Sequence, residues 1–156
     1  MRTEDPRTIR LVDYQPPLFT VETVDLTFDL EPEVTEVTTR LHMVRRGAGA
    51  LHLDGEDLDL VSLSIDGRQL DPTAFTKDAE SLSIPEVPDE FDLETVVRID
   101  PQSNTKLEGL YRSNGTWCTQ CEAEGFRRIT YFPDRPDVMA TYRVTIRAAR
   151  SEAPVF

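Results

Sequence analysis

The chain has 156 residues, of which 38% are hydrophobic and 29% charged, and its net charge is −12. That length supports one domain with a real core. The charge excludes sequence-independent binding to nucleic acid, which needs Lys and Arg to neutralise phosphates, and leaves cationic partners or plain solubility. No apolar run approaches the ~20 residues of a membrane span.

In chain order, the N-terminal stretch MRTEDPRTIRLVDYQPP has no apolar h-region, so no secretory signal is expected. Residues 1–13 read as loosely held. Phe19 and Val21, then Val24, Leu26, Phe28 and Leu30, alternate with polar residues, and the slip of phase between Val21 and Val24 predicts a bulge or a strand start. Val37, Thr39, Leu41 and Met43 alternate likewise. Leu58 and Leu60 give way to Val61, Leu63 and Ile65 with one more slip. Phe91, Leu93, Thr95, Val97 and Ile99 form another run, and Tyr142, Val144 and Ile146 the last. Such strands bury one face and wet the other, as antiparallel sheets do.

Turn chemistry separates the runs. Asp54-Gly55, Asp66-Gly67 and Asn114-Gly115 are dipeptides that accept positive φ and close hairpins. Pro72, Pro85, Pro88 and Pro101 fall between runs, where a missing N–H does no harm. No segment holds a helical period over three turns. The expectation is a single all-β domain over residues 1–156, built as a sandwich of two packed, mainly antiparallel sheets. The sequence closes on Pro154-Val155-Phe156, either a short tail tucked onto a sheet or a cut inside a longer protein.

Chemistry concentrates in WCTQCEAEGFRRITYFPDRPD, Trp117 to Asp137. The W-C-x-x-C at its start suggests a redox pair, but that chemistry needs Cys118 at a helix N-terminus, which lowers the thiol pKa. Here two acids and then β-branched and aromatic residues follow instead. A zinc site needs three or four ligands. The chain offers only the two thiols, with His42 and His52 far along the sequence in strand-like runs and no H-E-x-x-H. Cys118 and Cys121 read as small, partly buried hydrophobes of a protein in a reducing cytoplasm. Glu122 and Glu124 stand at i and i+2. On an extended segment both would face one way, as a solvated pair or as a receptor for an ammonium or guanidinium group. Arg127 and Arg128 are alternative internal partners, and spacing does not decide among these.

The order Thr119-Gln120-Cys121-Glu122, Arg127-Arg128, Pro133-Asp134-Arg135-Pro136 and Ala140-Thr141-Tyr142 resembles the aminopeptidase N family of zinc metallopeptidases, of the gluzincin group. The strings NTKLEGLYRSNGTWCTQCEAEGFR, VETVDLTFDL and LHLDGEDLDLVSLSIDG extend the resemblance over nearly the whole chain. It implies the N-terminal β-domain of a bacterial member, saddle-like in shape. Residues 151–156 would then begin the crossover to a catalytic domain that carries G-x-M-E-N and H-E-x-x-H, motifs this chain lacks.

The same resemblance implies a role for two residues. Glu122 binds the free α-ammonium of the peptide substrate and Gln120 lines the pocket for its first side chain; Glu124 inherits no role. Zinc is then expected in the parent enzyme and not in this chain, which alone should be inactive. The implied partners are peptides with a free N-terminus and the missing catalytic domain, with no nucleic acid and no membrane. Arg127, Arg128, Asp134, Arg135 and Asp137 are expected to hold the loop by ion pairs and turn hydrogen bonds. The competing reading is a stand-alone acidic β-sandwich that binds a protein partner.

Overall fold

The structure, a computed structural model, describes residues 10–149. Eleven strands appear in it: β1 (Phe19–Leu30), β2 (Thr35–Arg45), β3 (Leu51–Asp54), β4 (Asp59–Ile65), β5 (Arg68–Gln69), β6 (Thr76–Lys77), β7 (Ser81–Ile84), β8 (Glu90–Ile99), β9 (Gly109–Ser113), β10 (Thr116–Gln120) and β11 (Thr141–Ala148). The helical elements among the described residues are 3₁₀ turns at Leu11–Asp13, Pro72–Ala74 and Phe126–Arg128. No helix there is long and apolar enough to cross a membrane. The expectations for residues 1–9 and 151–156 lie outside the described residues.

The all-β sandwich is borne out. One layer is a six-stranded sheet in the order β11-β1-β2-β8-β4-β5, and the facing layer is built on the three-stranded sheet β3-β7-β6. A two-stranded sheet, β9 with β10, is added to the two that the periodicity predicts. Alternation sets the inner face. Val24, Leu26 and Phe28 of β1 lie opposite Leu41, Thr39 and Val37 of β2, which lie opposite Leu93, Thr95 and Val97 of β8. All nine are buried. Leu51, Leu53, Leu82 and Ile84 close on them from the smaller sheet, and Phe19 meets Phe91 edge to face at 6.2 Å. Fully burying one such aliphatic side chain stabilises by roughly 1.5–3 kcal/mol.

Both predicted slips are register shifts. The β1–β2 ladder skips Glu22 between Val21 and Thr23, and the β4–β8 ladder skips Val61 between Leu60 and Ser62. Asp66-Gly67 and Asn114-Gly115 close tight hairpins with positive φ at all four residues. Asp54-Gly55 does not close one. Asp54 ends β3 in the small sheet and the chain crosses to β4 in the large one. Asp54 exchanges both backbone hydrogen bonds with Phe132, at 2.9 and 3.0 Å, so β3 pairs onward with the crowded stretch rather than folding back.

The polar middle row of the core, Thr39 and Thr95, is answered from that stretch. Thr39 Oγ1 donates to Thr130 Oγ1 at 2.7 Å, and Thr95 Oγ1 lies 3.3 Å from the same oxygen. The segment carrying the predicted site is thus tied to the core at Thr130 and to the small sheet at Phe132.

Candidate substrate-end site

Gln120 is the last residue of β10 and pairs with Gly109, the first of β9, at the base of their hairpin. Gly109 has φ +71, and a Cβ there would sit 2.7 Å from Arg128 Cβ, so the arginine packs directly behind the pair. Arg128 is gripped on three sides. Its Nε donates to Glu108 at 3.1 Å, Nη1 to Asp57 and Nη2 to Glu56, and its side chain is 8% exposed. Lys106 also reaches Asp57 at 2.9 Å. The Lys106 hydrogen bond leads, with Arg128 adding to it, in holding the Asp57 carboxyl below its ordinary range against the raising effect of burial.

Arg127 makes the neighbouring clamp. Its Nε and backbone N–H both donate to Asp134 Oδ2 at 3.1 Å, and its Nη2 donates to the Asp134 carbonyl at 3.1 Å. Asp54 lies 3.8 Å away and Glu124 3.9 Å. Burial works to lower the Arg127 pKa, and the carboxylates of Asp134, Asp54 and Glu124 outweigh it, so the guanidinium titrates above its usual value. Further along, Arg135 holds Asp137 at 2.8 and 2.6 Å and donates to the Gln15 carbonyl, while Tyr14 Oη donates to Asp137 at 2.9 Å. Those bonds, with Arg135 first and burial opposing, bring the Asp137 carboxyl down to about 2. The expected ion-pair scaffold is therefore present. Its partners Asp54, Glu56, Asp57 and Glu108 escaped sequence reading, although two adjacent arginines that are mostly buried require carboxylates and the acid-rich DGED run was the visible supply.

Between hairpin and clamps the chain turns rather than running extended. Gly125 N–H donates to the Cys121 carbonyl at 2.9 Å, and Glu124 has φ +65, in the left-handed region. A Cβ on Gly125 would stand 2.6 Å from the Gln120 carbonyl oxygen, so only glycine closes this turn. Hence Glu122 and Glu124 do not share a face as on a strand, which corrects the same-face expectation. Glu124 turns to Arg127. Gln120 Nε2 donates to the Glu122 carbonyl at 2.8 Å, which brings the two residues named by the resemblance together at the turn. Both are exposed. A cleft of about 700 Å³ lies alongside, lined by Pro17, Leu18, His52, Glu124, Arg127 and Arg135 among others; neither Gln120 nor Glu122 lines it.

The thiols fit neither redox nor metal work. Cys118 sits within a strand, and both cysteines are free. Burial first, then the charge of Asp134, pushes the Cys121 thiol up, away from the thiolate. His42 and His52 are strand residues bonded to Asp92 and Ser83. Among the described residues no three His, Cys, Asp or Glu side chains stand together to hold a metal ion, so these residues do not fit a zinc site.

Residues 20–155 match the Peptidase M1 N-terminal domain, and the chain belongs to that family. It is 54% identical over 150 residues to the aminopeptidase N of Caulobacter vibrioides, covering 95% of this chain and 17% of that protein. It is 44% identical over 154 residues to the aminopeptidase N of Escherichia coli, covering 97% of this chain and 18% of that protein. The crystal structure of Legionella pneumophila aminopeptidase A in complex with aspartic acid superposes with a TM-score of 0.86 at 36% identity, over 94% of this chain and 18% of that one. The chain thus spans under a fifth of the length of these relatives.

Proposed function

We propose that this chain is the domain of a cytoplasmic zinc aminopeptidase that receives the N-terminal end of peptide substrates. Glu122 accepts hydrogen bonds from the substrate α-ammonium, and Gln120 lines the place of the first side chain. The zinc and the groups that do the hydrolysis belong to the rest of the protein, and this chain alone is inactive. The observation that carries the reading is the pair at the turn: Gln120 held on the Glu122 carbonyl, on a loop fixed by Arg127 and Arg128, with the Glu122 side chain left facing outward.

A carboxylate so placed suits a charge-assisted hydrogen bond to an ammonium, which is stronger than one between neutral groups. Recognising that ammonium measures where a peptide begins, which is what distinguishes an exopeptidase. The relatives named aminopeptidase N support the activity, and two unbridged cysteines suit a reducing compartment.

The test compares a free-amine peptide with its N-acetylated form on the full-length protein, with and without a chelator. Release of the first residue from the free-amine peptide alone, abolished by the chelator, is expected. Equal cleavage of both peptides, or activity indifferent to the chelator, contradicts the reading.

A further inference from the structure

We infer that the inner face of β11 is a docking surface for the polypeptide that follows residue 156 in the full-length protein. β11 pairs with β1 in parallel, Val24 beside Tyr142, Leu26 beside Val144 and Phe28 beside Ile146. Paired residues project to the same side of a sheet, so the β11 row continues the core row of β1. Yet Val24, Leu26 and Phe28 are 0%, 4% and 8% exposed, whereas Tyr142, Val144 and Ile146 are 47%, 52% and 64% exposed. The facing layer stops one strand short. Phe126 and Phe132 meet Tyr142, with ring centroids at 6.0 and 6.5 Å, and Val144 and Ile146 beyond it stay exposed.

The other face of the same strand is made for water. Arg143 pairs with Asp25 at 3.6 Å and Arg147 with Asp29 at 3.4 Å, with Thr145 between them. The strand therefore has the alternation of one that is covered on one side and solvated on the other, and the cover is missing. A contiguous apolar row at a sheet margin marks an interface.

The occupant follows from length and order. At its relatives' length more than four-fifths of the protein lies outside these 156 residues. The matching family is an N-terminal domain, which puts that remainder after β11, and elements consecutive in sequence usually pack as neighbours. The next part of the same polypeptide, presenting an apolar face, is the cover. This inference rests on the reading of the chain as one domain of a longer enzyme.

The test uses thiol labelling of the full-length protein. Ile146→Cys and Val144→Cys report the inner face, Thr145→Cys the outer one, and peptide mapping separates them from Cys118 and Cys121. With each rate divided by its value in denaturant, both inner-face thiols should react at least ~10-fold more slowly than Thr145→Cys, as expected of a site that must open before it reacts. Equal rates on the two faces overturn the proposal. Protection that fades on dilution assigns the face to a second copy and overturns it as well. A protein that protects both inner-face thiols but removes no N-terminal residue contradicts the functional reading and leaves the docking face standing.

Discussion

The Thr130 hydroxyl stands between the two layers with Thr39 donating to it at 2.7 Å, joining the segment of the candidate site to the centre of the six-stranded sheet. Thr95 lies 3.3 Å from the same oxygen, and all three residues are buried. Thr130→Val keeps the shape and removes the shared partner. Leaving buried polar groups unmatched costs about 1–3 kcal/mol. Urea unfolding should show a loss in that range, and adding Thr39→Val to it should cost less than the two single losses summed. Strict additivity would mean that the hydroxyls are not coupled.

Arg128 is the second tie. It joins Glu108, at the foot of the β9–β10 hairpin, to Glu56 on the crossover. Arg128→Met fills the space but leaves Glu56 mostly buried without this partner. Breaking a buried pair costs roughly 3–5 kcal/mol, and the exposure of Asp57 with the partial exposure of Glu108 places this case at about the lower end. In the full-length protein the variant should raise KM for free-amine peptides, because the hairpin end bearing Gln120 loses its backing. Unaltered KM in a folded variant would separate Arg128 from the site.

His42 should give the fold a pH dependence. The hydrogen bond to Asp92 is the main cause that raises its pKa, burial opposes it, and the charges of Asp92, Glu90 and Glu22 add to the rise. A folded pKa above the unfolded value near 6.5 contributes stability that is fully present below that pH and is lost as pH rises through the folded pKa. Denaturation midpoints measured from pH 5 to about 9 should fall on the alkaline side of this window, and Asp92→Asn should flatten the fall. An unchanged slope in Asp92→Asn would exclude the pair as its source.

The five longest strands, β1, β2, β4, β8 and β11, were legible because burial imposes a period of two. The skipped Glu22 and Val61 were legible too, since a bulge shifts that period by one residue. Pairing direction was not. Tyr142, Val144 and Ile146 alternate as any half-buried strand does, and nothing in alternation distinguishes a parallel edge strand whose cover lies elsewhere. Asp54-Gly55 carries hairpin chemistry but is recruited by Phe132, a partner 78 residues on, and no local signal reports that. At the site, residue types were readable and geometry was not. Glu122 and Glu124 part because Gly125 closes on Gln120 and Arg127 draws Glu124 aside, both consequences of tertiary packing.

The central claim is that Glu122 meets the substrate α-ammonium, and the direct measurement is kcat/KM of full-length Glu122→Gln and Glu124→Gln on a free-amine dipeptide. A hydrogen bond to a charged group contributes about 1.5–3 kcal/mol, so Glu122→Gln should lower kcat/KM by about 10- to 150-fold at ~1.4 kcal/mol per tenfold, with metal content unchanged. Glu124→Gln removes the same charge two residues away, gives up a 3.9 Å contact to Arg127, and should cost little. Equal losses in the two variants would mean general electrostatics rather than a specific contact. An intact Glu122→Gln beside a crippled Glu124→Gln would contradict the account outright.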